Sequence, residues 1–276
     1  MINFYEQDFV KKHLPKKDDL QKEYTGMEIN KHILLCGMTG AGKTNALLNY
    51  IYLTTLPPKG TFDAIFLCYK TDEALYKGLA EKINKKNQLQ RFFQIKGIEK
   101  FPHCDSFPDY DPENPKEYLI IFDDIVSDKM TKHLEKVEKY YSYGRKKGLT
   151  CVYLTQSFFD SPRFLRKNFS YLLLLTINNK RELKDILRLY SLNVSEEVLQ
   201  RMFNYATNER MSLFKLCTIV CEESKRFSKD FTNYLNPKDF ENSSQPLAIQ
   251  DSQQEEEKEE QQEQKKKVVK RTRKKE

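Results

Sequence analysis

The sequence predicts an α/β fold, a mainly parallel sheet flanked by helices, and two observations predict it. Short apolar runs alternate with amphipathic stretches along most of the chain, and the first apolar run passes directly into a glycine-rich loop and then a helical stretch. In chain order, Ile33–Cys36 is continuously apolar, as a strand covered on both faces must be, and Lys43–Leu53 repeats its apolar residues at helical spacing. Ala64–Tyr69 is the second strand, followed by the helix Glu73–Ile83. The Pro/Asp-rich piece from Phe101 to Pro115 has turn chemistry and reads as a surface connection. Tyr118–Phe122 is again a continuous apolar strand, with the helix Lys129–Tyr143 after it. Thr150–Thr155, Tyr171–Ile177 and Phe214–Val220 complete the strands, and Pro162–Asn168, Arg181–Tyr190 and Glu196–Ala206 the helices. The chain shows no internal repeat.

With 276 residues, 39% hydrophobic and 32% charged, the chain can bury one substantial core and expose a well-solvated surface. No apolar run approaches the ~18 residues of a membrane span. Met1–Glu6 lacks the charged-then-apolar order of a signal peptide, so a reducing, cytosol-like compartment is expected. In that setting Cys36, Cys68, Cys104, Cys151, Cys217 and Cys221, mostly in apolar segments, read as buried free thiols rather than disulfides or metal ligands.

The formal charge of +7 is concentrated at one end. Lys265–Glu276 (KKKVVKRTRKKE) holds eight of the 47 basic residues and one of the 40 acids, leaving 39 of each in residues 1–264. The run QQEEEKEEQQEQ before it has too little apolar surface to offset the entropy of ordering, so residues 245–276 are expected to form a disordered acidic/Gln then basic tail. The basic end is suited to nonspecific DNA affinity or nuclear localisation.

The residues Gly37-Met38-Thr39-Gly40-Ala41-Gly42-Lys43-Thr44 fit G-x-x-x-x-G-K-[ST] between a predicted strand and a predicted helix, the context of a P-loop. Glycines are needed because the backbone must turn over phosphates and aim its N–H groups inward at the positive end of the helix. The pattern assigns the phosphates of a nucleoside triphosphate to residues 37–44, its β- and γ-phosphates to Lys43, and Mg²⁺ to the Thr44 hydroxyl. Tyr118-Leu119-Ile120-Ile121-Phe122-Asp123-Asp124 is an apolar strand ending in two carboxylates, the form of a Walker B motif. It assigns Mg²⁺ to Asp123 and activation of the attacking water to Asp124.

Asn179-Lys180-Arg181-Glu182 nearly matches a guanine-reading N-K-x-D, but it ends in Glu. The D-x-x-G of a switch is missing as well, since Val126 and Ser127 follow the two aspartates by three. Other P-loop enzymes of helicase type, and a non-hydrolysing DNA-binding scaffold, stay open as alternatives.

From Gly144 to Ser157 (GRKKGLTCVYLTQS) the chain gives a basic turn, a strand, and an amide where that strand ends. This resembles the FtsK–HerA superfamily of ring-forming translocases, in which an arginine before the strand serves the neighbouring subunit and a glutamine at its end senses the γ-phosphate. With GMTGAGKT, IIFDDI and YLTQSFFDSPRFLRKN followed by YLLLL, the region from about residue 30 to 190 resembles the poxvirus-type virion DNA-packaging ATPases of large DNA viruses, virophages and Polinton-like elements. The chain is expected to divide into an N-terminal extension, residues 1–30, packed on a P-loop ATPase domain over residues 31–244, for which the resemblance implies a RecA-like fold. The resemblance carries the phosphate and metal roles onto Lys43 and Thr44, the Walker B roles onto Asp123 and Asp124, the sensor onto Gln156 and the arginine finger onto Arg145, with Arg163 and Arg166 as alternatives. It further implies a homo-oligomeric ring, a hexamer by analogy, that grips double-stranded DNA by its phosphates. A capsid or portal protein is the implied partner, and the host cytoplasm or viral factory the implied location, with the nucleus open through the tail. Tyr140-Tyr141-Ser142-Tyr143 reads as core packing, with a DNA or subunit contact as the other reading.

Overall fold

The computed structural model describes residues 7–8, 20–57, 60–86, 91–125, 131–219, 221 and 223–241. Met1–Pro237 form one compact unit and Lys238–Glu276 a second; the description below concerns the first. The tail expected over residues 245–276 lies outside the described residues, as does most of the segment before Leu20.

The chain runs α1 (Leu20–Thr25), β1 (His32–Cys36), α2 (Lys43–Thr54), β2 (Ala64–Tyr69), α3 (Ala74–Lys86), β3 (Arg91–Lys96), β4 (Tyr118–Asp123), α4 (Thr131–Tyr143), a 3-10 turn at Gly144–Lys147, β5 (Leu149–Thr155), α5 (Arg163–Asn168), β6 (Tyr171–Leu174), α6 (Lys180–Leu189), α7 (Glu196–Ala206), β7 (Phe214–Cys217), β8 (Phe227–Lys229) and β9 (Asn233–Tyr234). One sheet holds them in the order β3-β2-β4-β5-β1-β6-β7-β8-β9. The strands from β3 to β6 are parallel, and β7, β8 and β9 each pair antiparallel with the strand before. A parallel strand must be reached by a crossover, which puts helices on the sheet faces and makes central strands apolar on both sides. Every residue of β1 and β5 is buried accordingly.

Alternate residues of those strands supply two cores. Ile33, Leu35, Leu119, Ile121, Val152 and Leu154 pack with Ala46, Leu47, Tyr50 and Ile51 of α2. The other face is aromatic, with the ring centroids of Phe101 and Tyr140 each 5.3 Å from Phe122 and that of Phe107 5.3 Å from Tyr118. Tyr140 and Tyr141 are thus core residues, whereas Tyr143 is 53% exposed. The Phe101–Pro115 connection is only partly superficial, since Phe101, Cys104 and Phe107 are buried. Lys136 of α4 ties it down by donating to the carbonyls of Ile98, Glu99 and Phe101.

Residues 20–30 belong to the same packing. Met27 and Ile29 are buried in the α2-side core, and the fully buried Lys215 of β7 donates to the carbonyls of Thr25, Gly26 and Phe231. With carbonyls in place of a carboxylate around it, burial brings its pKa down to about 8.

Three strands escape the sequence reading. β3 is the edge partner of β2, and its solvent-side residues break the apolar run; β8 and β9 have three and two residues. Two expected strands end early, β6 at Leu174 and β7 at Cys217. Beyond Leu174 the chain still bonds to its neighbour, the Leu175 N–H donating to Cys36 O at 2.9 Å. The described cysteines carry free thiols, five buried and Cys221 half-buried. No helix among the described residues is long and apolar enough to cross a membrane.

Candidate active site

Parallel strands bring their carboxyl ends to one edge, where open α/β sheets place ligands. Here β1 ends in the P-loop, β4 in Asp123 and Asp124, and β5, lying between them, in Gln156. The insertion of β5 therefore sets the amide between the loop and the acids.

The P-loop is anchored from below on both sides. Gly37 N–H donates to Thr155 O and Met38 N–H to Thr176 O, each at 3.2 Å. Gly40 and Gly42 have φ of 80° and 101°, which residues with a Cβ rarely adopt. At Gly42 a Cβ would also lie 2.9 Å from Met211 Cγ. Because Gly42 N-caps α2 without a side chain, the first N–H groups of that helix stay available to an anion.

Lys43 Nζ donates to the carbonyls of Gly37 at 2.8 Å and Met38 at 3.2 Å, folding back over its own loop. Burial pushes its pKa down, and the nearby Asp124 and Asp123 carboxylates push it back up. Gln156 bridges the two sides: its Oε1 accepts from Thr39 Oγ1 at 2.9 Å, and its Nε2 donates to Asp124 Oδ2 at 2.6 Å. Asp124 itself has φ 49°, a left-handed conformation, with its N–H on Leu154 O.

Asp123 points instead toward α3, where Tyr76 OH donates to its Oδ2 at 2.8 Å. Burial raises the Asp123 carboxyl to about 6, the Tyr76 hydrogen bond opposes this, and Glu73 and Asp124 add to it. Tyr76 also hydrogen-bonds Thr44. A hydroxyl and a partly desolvated carboxylate, both hard oxygen donors, suit Mg²⁺, which keeps waters and phosphate oxygens as its other ligands. No group of three or more His, Cys, Asp or Glu that could cage a metal exists among the described residues.

These residues share a cleft of about 440 Å³, lined by Thr39, Gly40, Gly42, Lys43, Thr44, Asn45, Asp123, Asp124 and Gln156. Ala41 sits in the same loop, its N–H on Met38 O at 3.1 Å. The cleft also takes in Lys70, Thr71, Glu73, Leu75 and Met211, none of which the sequence motifs mark. Tyr76 and Glu73 follow β2 and Met211 precedes β7, so only the folded sheet brings them to the P-loop.

Arg145 is not in this cleft. It lies in the turn before β5, at the amino end of a strand whose seven residues span roughly 20 Å. Its charge is felt there by His32, whose pKa burial lowers to about 4. Arg166 is engaged within its own chain, Nε donating to Ser161 O at 3.1 Å and the guanidinium 5.9 and 5.6 Å from the Phe158 and Phe159 ring centres. Arg163 is exposed at the start of α5.

The N-K-x-D-like run has a local use. Asn179 Oδ1 caps α6, accepting from the N–H groups of Arg181 and Glu182 at 3.1 and 3.2 Å. Glu182 then receives Ser157 Oγ at 2.9 Å and Phe158 N–H at 2.7 Å, holding the turn that follows Gln156.

No curated protein matches the chain. Among solved structures, it is similar to the genome packaging NTPase B204 from Sulfolobus turreted icosahedral virus 2 in complex with sulfate, at 14% identity and a TM-score of 0.49, covering 76% of this chain and 100% of that one. It is similar to the cytoplasmic domain of the Thermomonospora curvata type VII secretion ATPase EccC at 13% identity and a TM-score of 0.49, over 79% of this chain and 26% of that one. The family assignment rests on sequence: the profile described as Poxvirus A32 protein matches residues 21–235, the stretch that runs from α1 through β9, and the chain belongs to that family.

Proposed function

We propose that this P-loop ATPase hydrolyses ATP in the Lys43–Asp124 cleft and uses the turnover to drive double-stranded DNA into a viral capsid, as a ring of identical subunits. Family membership supports the genome-packaging role. The observation that carries the catalytic reading is the continuous link Thr39–Gln156–Asp124, which ties the phosphate-binding loop to the acid through one amide.

In this reading, the N–H groups of residues 37–44 and of the first turn of α2 hold the phosphates of ATP. Lys43 exchanges the Gly37 and Met38 carbonyls for phosphate oxygens. Thr44 and Asp123 would hold Mg²⁺, which neutralises phosphate charge. Asp124 accepts the proton of the attacking water, and Gln156 reports a terminal phosphate by changing its bonds to Thr39 and Asp124. Arg145, about a strand's length from its own cleft, acts on a neighbouring copy, where its permanently charged planar fork stabilises the transferring phosphoryl group. A hexamer is our reading of the ring, with DNA held by its phosphates, a capsid or portal protein as docking partner, and the host cytoplasm or viral factory as the place of work.

The test is ATP turnover with and without linear duplex DNA, and with GTP in place of ATP. Stimulation by the duplex is expected. Turnover indifferent to DNA would remove translocation from the reading, and a strong preference for GTP would favour a nucleotide switch.

A further inference from the structure

The terminal-phosphate end of the cleft is marked by Lys43, Asp124 and Gln156, which leaves the nucleoside to emerge at the other end of the loop, past Thr44 and Asn45 at the start of α2. Sheet order says what stands there. The acids come from β4 on one side of β1, while β6 and β7 lie on the other. Because β7 is antiparallel, with Phe214 opposite Leu174, its beginning rather than its end reaches the functional edge. The residues just before β7 therefore arrive beside the P-loop, and Met211 lines the cleft with Gly42, Thr44 and Asn45.

Met211 is held there against local preference. Its φ is 70°, a left-handed conformation for a residue with a Cβ, and the residue is 39% exposed. Its segment is pinned on both sides. Leu213 N–H donates to Asp230 Oδ1 at 3.1 Å, and Asp230 N–H returns to Leu213 O at 2.8 Å. Ser212 N–H reaches Glu209 O at 3.3 Å, and the Glu209 carboxylate pairs with Lys229. A rigid turn thus presents a flexible, polarizable thioether to the cleft beside Thr44 and Asn45, which is the chemistry that packs on the face of an aromatic ring.

We propose that Met211 forms the nucleoside subsite, an apolar platform for the base of the bound nucleoside triphosphate that contacts its face and not its hydrogen-bonding edge. The proposal rests on the reading that the P-loop holds a triphosphate. It makes Met211 a binding residue that acts on affinity without touching the reacting phosphate.

Binding of ATP, GTP and inorganic tripolyphosphate to the full chain, by calorimetry, separates the two readings. Glycine tolerates a positive φ, so Met211→Gly removes the side chain and keeps the turn. It should weaken ATP and GTP by the same factor, about five- to tenfold. Tripolyphosphate, which has no base, should bind within about twofold of the unaltered chain, and kcat should stay the same while KM rises. Met211→Leu should recover most of the affinity. Equal weakening of tripolyphosphate would overturn the platform and make Met211 a prop for the loop, and unchanged affinity for all three would remove it from the site. If the unaltered chain bound neither ATP nor tripolyphosphate, the phosphate reading itself would fall and the subsite with it.

Discussion

Lys43→Ala removes the ammonium that now rests on the Gly37 and Met38 carbonyls, whereas Asp124→Asn leaves a group that can still accept from Gln156 but cannot take a proton. The first should lose ATP binding. The second should bind ATP and lose turnover by at least about a hundredfold, which equilibrium binding and steady-state hydrolysis together would show; near-normal turnover would take Asp124 out of the base role. A different carboxylate governs stability. Glu117, just before β4, is buried, its Oε1 receives Asn30 Nδ2 at 3.2 Å, and its Oε2 has no hydrogen-bond partner among the described residues. Burial raises its pKa to about 7. A carboxyl raised in the folded state contributes stability that is fully present below its unfolded value of 4.5 and lost as pH climbs through 7. Glu117→Gln should therefore stabilise the protein at pH 8, by about 2–3 kcal/mol, and change little at pH 4. Thermal unfolding at the two pH values checks the sign; equal shifts at both would mean packing, not ionisation, is responsible.

Among the elements, the central ones were legible and the peripheral ones were not, for a physical reason. β1, β4 and β5 are covered on both faces and read as unbroken apolar runs, while β3 is paired on one side only and alternates between Phe92, which is buried, and Phe93, which is 40% exposed. The same distinction holds at the site. Lys43 and Thr44 open α2 at the end of the P-loop, and Asp123, Asp124 and Gln156 sit at strand ends, all within local motifs that record them. Glu73 and Met211 reach the cleft, and Tyr76 reaches Asp123 beneath it, only through the pairing of the folded sheet. Lys215 was illegible too, because a lysine in a strand normally signals an exposed face. Its three carbonyl partners join α1, β7 and the segment after β8. Lys215→Ala should cost about 3 kcal/mol or more, since it strips the donors from buried carbonyls and leaves a cavity. Chemical denaturation of the variant measures this, and a loss under about 1 kcal/mol would mean that solvent replaces the ammonium.

At the scale of the whole molecule, the cleft and the Arg145 turn lie at opposite ends of β5, so a single copy cannot bring them together. Mixing inactive Arg145→Ala and Asp124→Asn proteins should restore part of the ATP turnover, at seams where an intact Arg145 faces an intact Asp124. If demonstrated mixed assemblies stay inactive while Arg163→Ala or Arg166→Ala does complement, the finger lies in α5. If no pairing complements, hydrolysis across a seam loses its support.

The position of β1 also governs how the chain is made. Its two neighbours are β5 and β6, and His32 pairs with Cys151 while Ile33 pairs with Tyr171. At ribosomal speeds, the more than one hundred residues separating these partners take on the order of ten seconds to synthesise. Throughout that interval the nascent chain holds a strand apolar on both faces without either of its partners, so the strand that carries the P-loop is also an adhesive segment at birth. Fragments that stop before residue 149 should aggregate or ride on chaperones, and release should come only when β5 and β6 have cleared the ribosome.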